Sequence, residues 1–357
     1  MQGDARLSLI VCTYRRAPEV EKLLRSLTSQ TRLPDETLIV DASTDDETKR
    51  VVETFISQDA LPKLTYYKAP PEHRGLTRQR NYGVERASGD LIAFLDDDTI
   101  PEPDYFAETV ACFKRHPRAA GVGGYITNEV EWRQTDGPGS NGKASSALFK
   151  WGSWERREAL RWRLRRRLGL VSTLAPGWVP DTGHGRPVGY LPPDGEDYEV
   201  EFFMGCSFAF RREVFDRQRF SSYFEGYGLY EDLDFCVRAA RLAPLYLCTR
   251  ARLAHYHAPS GRPNQFRYGL MVVRNGWMVW RRRWPEPPLK GRLGWWATTA
   301  LLTLCRFAEA VGGPERLQSL TEGCGRVCGM ASLFWKKPEE TAASQEAGAM
   351  AGVLRSS

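Results

Sequence analysis

Residues 91–106, LIAFLDDDTIPEPDYF, join five apolar residues to three consecutive aspartates and then to a turn that contains two prolines. The apolar run predicts a buried strand, so the aspartates concentrate negative charge where that strand ends. Three neighbouring carboxylates repel one another, and we therefore expect a cation beside them. Mg²⁺ or Mn²⁺ fits because these ions bind oxygen ligands and bridge protein carboxylates to substrate phosphates. The alternative is a solvated acidic turn, with Asp98 or Asp104 near the start of the next helix.

Four other short apolar runs have the character of strands that are buried on both faces of a parallel sheet. They are LSLIVC (7–12), ETLIVD (36–41), LTYYK (64–68) and AAGVGGYI (119–126). Amphipathic helical stretches lie between the runs, at residues 18–30, 45–58, 78–88 and 103–116. This alternation predicts an α/β fold with a right-handed, doubly wound, mostly parallel, Rossmann-like sheet. Ligands of such folds bind at the carboxyl ends of the strands, where the three aspartates lie.

The chain has 357 residues, 42% of them hydrophobic and 26% charged, as expected of a globular protein with a sizeable core. An intrinsically disordered protein is thereby excluded. The net charge is +6 at pH 7, and arginine is concentrated in residues 150–170 and after residue 262, which predicts an anionic partner or surface. The eight cysteines lack zinc-site spacing, so we expect reduced thiols in a reducing cytoplasm. The first residues, MQGDARLSLI, lack the pattern of a signal peptide.

Polar side chains follow the other predicted strands at the same edge of the sheet. The first strand ends in CTYRR (12–16) and the second in DASTDD (41–46). The third is followed by HRGLTRQRNYG (73–83), where Gly75 permits close backbone approach and Arg74, Arg78 and Arg80 suit phosphate oxygens. No GxxxxGK[ST] or GxGxxG loop occurs, so a glycine-rich helix start is not the phosphate-binding device. These residues are typical of a pocket for a base, a ribose and phosphates.

Six stretches together give the sequence a family resemblance, in their order and in their spacing. The chain resembles the inverting glycosyltransferases of family 2, of the bacterial polysaccharide or glycolipid type, which have the GT-A fold. The resemblance covers roughly residues 6–258. The stretches are LSLIVCTYRR (7–16), LIVDASTDD (38–46), GLTRQRNYG (75–83), GDLIAFLDDDTIPEPDYF (89–106), GCSFAFRREVF (205–215) and FEGYGLYEDLDFCVRAARL (224–242).

The resemblance implies a donor site for a nucleoside-diphosphate sugar, with Mn²⁺ or Mg²⁺ as cofactor. Asp98 is then the direct metal ligand, Asp96 meets metal or ribose, and Asp97 belongs to the donor pocket. His257 is the candidate third metal ligand, with His255 as the second choice, and a histidine that merely caps a strand is the alternative. Arg262 is placed to meet the diphosphate. The other donor-binding residues implied are Thr13, Tyr14, Arg15, Asp41, Arg74, Arg78 and Asn81.

The acid pair of YEDLDF (230–235) is implied to be the acceptor site of an enzyme of the hexosyltransferase type. Asp232 is the implied catalytic base and Glu231 its acceptor-orienting neighbour. Inversion requires a base on the face of the sugar opposite the leaving group, to take the proton of the acceptor hydroxyl. The alternative is ordinary helix-start chemistry, because acids in a first helical turn are favoured by the helix dipole.

The chain divides into five predicted segments. Residues 1–131 form the nucleotide-sugar-binding half, 132–200 an inserted basic segment, 201–262 the acceptor half, 263–335 C-terminal helices and 336–357 a disordered tail. In the inserted segment, KWGSWERREALRWRLRRRLGL (150–170) predicts a basic helix with a leucine stripe, suited either to an anionic membrane surface or to a solvated lid. No nucleic-acid-binding module accompanies it. The uncharged stretch 293–305 is too short to span a membrane and suits either an interfacial helix pair or one packed on the catalytic domain.

Two hypotheses follow from these features. The first is an inverting, metal-dependent glycosyltransferase that acts on a glycan or lipid-linked glycan acceptor, peripheral on the cytoplasmic face of a membrane. The second is a non-catalytic, membrane-associated protein that keeps a GT-A-like shell for binding or scaffolding. A degenerate shell should have lost some of Asp41, Asp98 and Asp232, and all three are present. A nucleotidyltransferase would need a glycine-rich phosphate loop with a lysine, which VCTYRRAPEV (11–20) does not provide.

Overall fold

The computed structural model describes residues 5–135, 147–257 and 264–339. The strands within them are β1 (Leu7–Thr13), β2 (Glu36–Asp41), β3 (Leu64–Lys68), β4 (Leu91–Asp96), β5 (Thr99–Pro101), β6 (Gly121–Ile126), β7 (Arg133–Gln134), β8 (Leu148–Trp151), β9 (Trp154–Arg157), β10 (Asp197–Val200), β11 (Ser207–Arg211) and β12 (Leu245–His255). The helices are α1 (Ala17–Leu27), α2 (Glu47–Ser57), α3 (Leu76–Arg86), α4 (Tyr105–Arg115), α5 (Leu160–Arg167), α6 (Arg212–Arg217), α7 (Glu231–Ala239), α8 (Gln265–Arg283), α9 (Leu289–Gly312) and α10 (Arg316–Ser332).

Nine strands form one sheet, in the order β10-β12-β6-β11-β4-β1-β2-β3, with β5 paired to β12. The pairs β1/β2, β1/β4, β2/β3 and β6/β12 are parallel. The predicted α/β, doubly wound, mostly parallel sheet is therefore confirmed. The sequence did not predict β11, which inserts antiparallel between β4 and β6.

The core of this sheet explains why the apolar runs became central strands. Leu9 and Val11 of β1 and Ala93 and Leu95 of β4 join one buried cluster, while Ile10 and Phe94 are buried with the opposite parity along the strands. Alternate residues of a strand point to opposite faces, so these strands are covered on both sides. The polar residues that follow each run are thereby held at one edge of the sheet.

Two compact units divide the chain. The first runs to Glu129, resumes at Pro193 and contains the nine-stranded sheet. The second comprises Val130–Pro192 and the segment that continues to Glu339. The division into five functional segments stays a prediction, and its disordered tail lies outside the described residues from 340 onward.

The basic segment 150–170 of the second unit differs from the single helix that was expected. Strands β8 and β9 form an antiparallel hairpin within it, and only the eight residues of α5 are helical. The hairpin turns at Gly152, whose positive φ of 56° suits glycine, and tryptophans on both sides favour strand over helix. Trp162 and Arg165 are buried, at 5% and 3% exposure, so part of the predicted basic surface is interior.

The C-terminal helices pack through tryptophans and through close glycine contacts. Trp280 of α8 stacks on Trp295 of α9 with ring centroids 5.2 Å apart, and its indole N–H donates to the Asp181 carbonyl at 2.6 Å. Helices α8 and α10 approach closely at Gly325, where an added Cβ would lie 2.0 Å from the Phe266 carbonyl oxygen. Among the described residues, no helix combines the length and the apolar character needed to cross a membrane.

Candidate active site

The carboxyl ends of β1, β2 and β4 bring three sequence motifs to one edge of the sheet. Thr13 at the end of β1 pairs in register with Asp41 at the end of β2, and Cys12 pairs with Asp96 at the end of β4. The chain then turns immediately, so Asp97 and Asp98 stand just beyond the strand ends. The expectation that these motifs share one edge of the sheet is met by the register of the strands.

Asp97 and Asp98 are buried, at 4% and 8% exposure, and are held by groups that follow β1. The Thr13 hydroxyl donates to Asp97 Oδ2 at 2.7 Å. Arg16 Nη1 lies 2.9 Å from Asp97 Oδ1 and 3.3 Å from Asp98 Oδ2. Burial raises the pKa of Asp97 to about 7, although Arg16 and Thr13 act in the opposite direction. Arg15 is the arginine expected in this pocket, whereas Arg16 makes the contact to the aspartates.

His255 joins the aspartates. Its Nε2 lies 3.1 Å from Asp98 Oδ1, because the antiparallel pairing of β12 with β5 places His255 opposite Thr99. Side-chain donor atoms of Asp96, Asp98 and His255 all lie within 4.8 Å of one another. Burial lowers the pKa of His255, but contacts to Asp98 and other acidic groups outweigh that effect and raise it.

His257, the first choice as a metal ligand, stands one shell further out. Its Nε2 lies 2.8 Å from Glu129 Oε1, and Glu129 Oε1 lies 3.4 Å from His255 Nδ1. The side chain of His257 is 51% exposed, against 12% for His255. His255 lies within ligand distance both of Asp96 and Asp98 and of Glu129 and His257, so the assignment of His257 as a metal ligand stays a prediction. No sequence pattern singles out Glu129, which precedes the inserted segment.

Arg80 connects the aspartates to the downstream acid pair. Its guanidinium is 2% exposed and contacts Glu231 Oε1, Asp96 Oδ1 at 3.2 Å and the Gly205 carbonyl at 2.8 Å. The expectation that Arg80 meets phosphate stays a prediction, and in this structure its guanidinium pairs with carboxylates and lies close to aromatic rings. Glu231 is likewise 4% exposed, and its Oε2 has no hydrogen-bond partner within the described part of the chain.

Asp232 lies in the first turn of α7 and is fixed by two backbone donors. The amide of Gly205 donates to Oδ2 and the amide of Leu233 to Oδ1, both at 2.8 Å. Gly205 is required here because an added Cβ would lie 2.8 Å from the Cβ of Asp232. Burial raises the pKa of Asp232. Tyr230, with φ at 70°, makes the left-handed turn that starts the helix at this point.

Asp41 and its neighbours form the inner wall of the edge. Asp41 is fully buried and accepts the Ser43 amide at 2.8 Å, the Ser43 hydroxyl and the Tyr66 hydroxyl at 2.9 Å. Gln79, which the sequence analysis missed, donates to the carbonyls of Thr13 at 3.0 Å and Val40 at 2.8 Å. It ties the ends of β1 and β2 together, and no local pattern distinguishes it from an ordinary helix glutamine.

Tyr14 and Arg15 occupy the outer rim. The Arg15 amide donates to Ser43 Oγ at 2.7 Å and its guanidinium to Thr44 Oγ1 at 3.0 Å. The Tyr14 ring is 46% exposed and lies 5.3 Å from the Arg15 guanidinium carbon. An exposed ring at the ends of parallel strands is available for stacking on a planar ligand.

The remaining predicted donor residues make their polar contacts elsewhere. Arg78 pairs with Glu225 and donates to the Glu72 carbonyl at 3.1 Å, and Arg74 is exposed. The side-chain amide of Asn81 donates to the Phe220 carbonyl at 2.9 Å and accepts the Phe220 amide at 3.0 Å. The roles of these three residues stay predictions. Arg262 lies outside the described residues.

Comparison with known proteins identifies the family. A family model described as Glycosyl transferase family 2 matches residues 8–218. The chain belongs to glycosyl transferase family 2. The matched range includes β1, β2 and the three aspartates, whereas Glu231 and Asp232 follow it.

Two curated relatives resemble part of this family 2 chain. The glucosyl-dolichyl phosphate glucuronosyltransferase of Haloferax volcanii is 32% identical over 34% of this chain and 38% of its own length. The GalNAc(5)-diNAcBac-PP-undecaprenol beta-1,3-glucosyltransferase of Campylobacter jejuni is 32% identical over 26% of this chain and 29% of its own length. The chain thus matches only about a third of the length of these relatives.

A solved structure supports the GT-A fold expected for this family 2 chain. The mannosyltransferase PcManGT from Pyrobaculum calidifontis, in complex with GDP-Man and Mn²⁺, has a TM-score of 0.51 and 17% sequence identity. The alignment covers 99% of this chain and 87% of that protein. At this identity the likeness concerns the fold alone.

Proposed function

We propose that this family 2 protein transfers a sugar, with inversion, from a nucleoside-diphosphate donor to a hydroxyl of a glycan or lipid-linked glycan. The observation that carries the proposal is the placement of Asp96, Asp98 and His255 within reach of one cation, together with the link through Arg80 to the acid pair. The proposed donor site and the proposed acceptor site are thereby connected by side-chain contacts.

The side chains of Asp96, Asp98 and His255 fit Mn²⁺ or Mg²⁺ as ligands. Two carboxylates and one imidazole converge, and their donor atoms lie within 4.8 Å of one another. Asp96, Asp98 and His255 would hold the ion, which when bound supplies positive charge to offset the charge that grows on the departing diphosphate. Asp97 is not part of this set, because Thr13 and Arg16 hold its carboxylate.

The protein's own groups supply the rest of the donor site. Asp41 and Thr13 form the wall for base and ribose, and Tyr14 offers its exposed ring for stacking. Arg15 adds positive charge at the rim, where a diphosphate needs it. Arg16 holds Asp97 and Asp98 at fixed positions, so the carboxylates need not rearrange when a donor binds.

Asp232 is proposed to take the proton of the acceptor hydroxyl. Both of its oxygens accept a backbone N–H and keep a further lone pair, so the carboxylate is oriented while it can still accept a proton. Its raised pKa makes it a stronger base than an ordinary aspartate. Glu231 is proposed to position the site through Arg80, because its carboxylate is buried against that guanidinium.

The proposed partners follow from the acceptors for which the two relatives are named. The glucuronosyltransferase is named for a dolichyl phosphate acceptor and the glucosyltransferase for an undecaprenol-linked one. We propose a lipid-linked or membrane-borne glycan acceptor here as well, and peripheral attachment to the cytoplasmic face of an anionic membrane. Nucleic acid is not among the proposed partners.

The test is calorimetric titration of the purified protein with UDP, GDP and dTDP, with and without Mn²⁺, repeated on Asp98→Ala. We expect one nucleotide to bind only when Mn²⁺ is present, and Asp98→Ala to abolish that binding. Asp90→Ala is the matched control, since it removes an aspartate that is 60% exposed and lies at the other end of β4. If no nucleotide binds to the wild-type protein, the donor site is not as proposed and the scaffold hypothesis gains support.

A further inference from the structure

Helix α9 buries hydroxyl groups and exposes an aliphatic stripe, unlike an ordinary helix on a water-facing surface. The side chains it buries include the hydroxyls of Thr298, Thr299 and Thr303, two of which donate to carbonyls one turn back at 2.8 Å. Besides Lys290, Arg292, Glu309 and Gly312, it exposes a stripe of aliphatic residues that recur every three or four positions. They are Leu289, Leu293, Ala297, Ala300, Leu304, Ala308 and Val311.

Helix α10 extends this exposed apolar surface. It follows α9 after three residues and packs against it, with Arg306 of α9 paired to the buried Glu322 of α10. Besides Arg316, Gln318 and Cys328, it exposes residues that again recur every three or four positions. They are Leu317, Leu320, Cys324 and Val327. The two stripes together are called the α9–α10 apolar face below. Leu293, Leu304 and Leu317 are 62%, 64% and 77% exposed.

Aromatic and cationic residues gather at one end of this helix pair. Trp296 of α9 stacks on Phe334, just beyond α10, with ring centroids 5.3 Å apart, so the start of α9 lies beside the end of α10. Phe334 and Trp335 are both 75% exposed. Four cations flank this end against two carboxylates, Glu286 and Glu339. The cations are Lys290, Arg292, Lys336 and Lys337.

We propose that the α9–α10 apolar face lies on an anionic lipid bilayer, with its leucines in the acyl boundary and its lysines among the headgroups. Aliphatic stripes flanked by tryptophan and lysine are the pattern of a helix that lies in a membrane interface. The excess of cations at the aromatic end selects anionic lipid over a neutral apolar partner. This inference deepens the proposed function, because it names the surface that meets the membrane. It rests on the proposed function only for the reason why the protein attaches to a membrane.

Part of the basic segment 156–167 is engaged inside the second unit. Arg165 donates to the His184 carbonyl at 2.5 Å, and the Arg156 guanidinium lies 4.1 Å from the centre of the Tyr190 ring. Arg157, Arg161 and Arg167 are exposed, so the experiment compares this segment with the α9–α10 apolar face directly. The α9–α10 apolar face offers exposed leucines that no contact inside the second unit explains.

The experiment is vesicle sedimentation of the full chain, with vesicles of phosphatidylcholine alone or of phosphatidylcholine and phosphatidylglycerol in equal amounts. We expect binding to the anionic vesicles, and a loss of about tenfold in partitioning for each leucine changed in Leu293→Asp/Leu304→Asp. Lys336→Gln/Lys337→Gln should lose about fivefold per lysine. Leu174→Asp, an equal change at a leucine that is 45% exposed elsewhere in the second unit, is the control and should bind like wild type.

Three results would overturn the inference. The first is unchanged vesicle binding by the leucine variant with an unaltered circular dichroism spectrum. The second is loss of binding in Arg161→Gln/Arg167→Gln while the leucine variant still binds. The third is a wild-type dimer that binds no vesicles and dissociates in the leucine variant. Mn²⁺-dependent nucleotide titration without lipid separates these failures from failure of the proposed function, because the leucine variant should bind nucleotide like wild type.

Discussion

Arg80 uses one guanidinium to hold three groups that belong to different motifs: Glu231, Asp96 and the Gly205 carbonyl. Lysine keeps the charge but has one ammonium group, so Arg80→Lys cannot make the three contacts together. We expect it to lower the free energy of unfolding by about 2–3 kcal/mol, because a buried carboxylate loses its partner. Turnover should fall more than donor binding, because Gly205 also positions Asp232.

Arg25→Lys is the matched control for this prediction. Arg25 lies on α1 and pairs with Glu21, and both side chains are exposed, at 69% and 41%. Exposed pairs contribute about 0–1 kcal/mol, so its unfolding curve should barely move. Denaturant unfolding and steady-state kinetics measure both variants. Equal effects of the two changes on stability and turnover would contradict the role of Arg80 in holding Glu231, Asp96 and Gly205 together.

Asp232 gives the proposed reaction a definite pH dependence. Its pKa is raised by burial, and the carboxylate must be ionised to accept a proton, so activity should be complete above the raised pKa and fall as pH drops through it. The acid limb of kcat/KM should therefore lie above the ordinary range of aspartate. Asp232→Asn should keep metal-dependent nucleotide binding and lose transfer by about 10²–10⁴-fold. Retained transfer in that variant would exclude Asp232 as the base.

At the scale of elements, the sequence predicted what depends on local pattern. The apolar runs predicted β1 to β4 and β6. Because β1, β2 and β4 are parallel, Thr13, Asp41 and Asp96 at their carboxyl ends necessarily lie at one edge of the sheet. His255 and Arg80 depend on long-range pairing instead. His255 is selected by the register of β12 with β5, and Arg80 by a carboxylate 151 residues away in the sequence. The spacing of residues within a short stretch of sequence indicates neither of these long-range contacts.

The packing of α8 on α10 supplies a prediction for the second unit. Gly325→Ala places a Cβ 2.0 Å from the Phe266 carbonyl oxygen, so the helices must separate. We expect a loss of about 1–3 kcal/mol in the free energy of unfolding, as for overpacked cores. Gly312→Ala is the control, because its Cβ meets nothing within 4 Å and alanine favours the helix by up to about 1 kcal/mol. Thermal unfolding followed by circular dichroism compares the two, and a stable Gly325→Ala protein would contradict this packing.

For the whole molecule, the question is whether net charge or the α9–α10 apolar face dominates membrane attachment. The net charge of +6 attracts any anionic surface, but this attraction is screened within about 10 Å at 0.1 M salt. Burial of leucine in the acyl boundary is not screened. Wild-type protein should therefore keep a salt-resistant fraction bound to phosphatidylglycerol vesicles as sodium chloride rises, while Leu293→Asp/Leu304→Asp should be released completely. Complete release of both proteins at the same salt concentration would mean that charge alone holds this chain to the membrane.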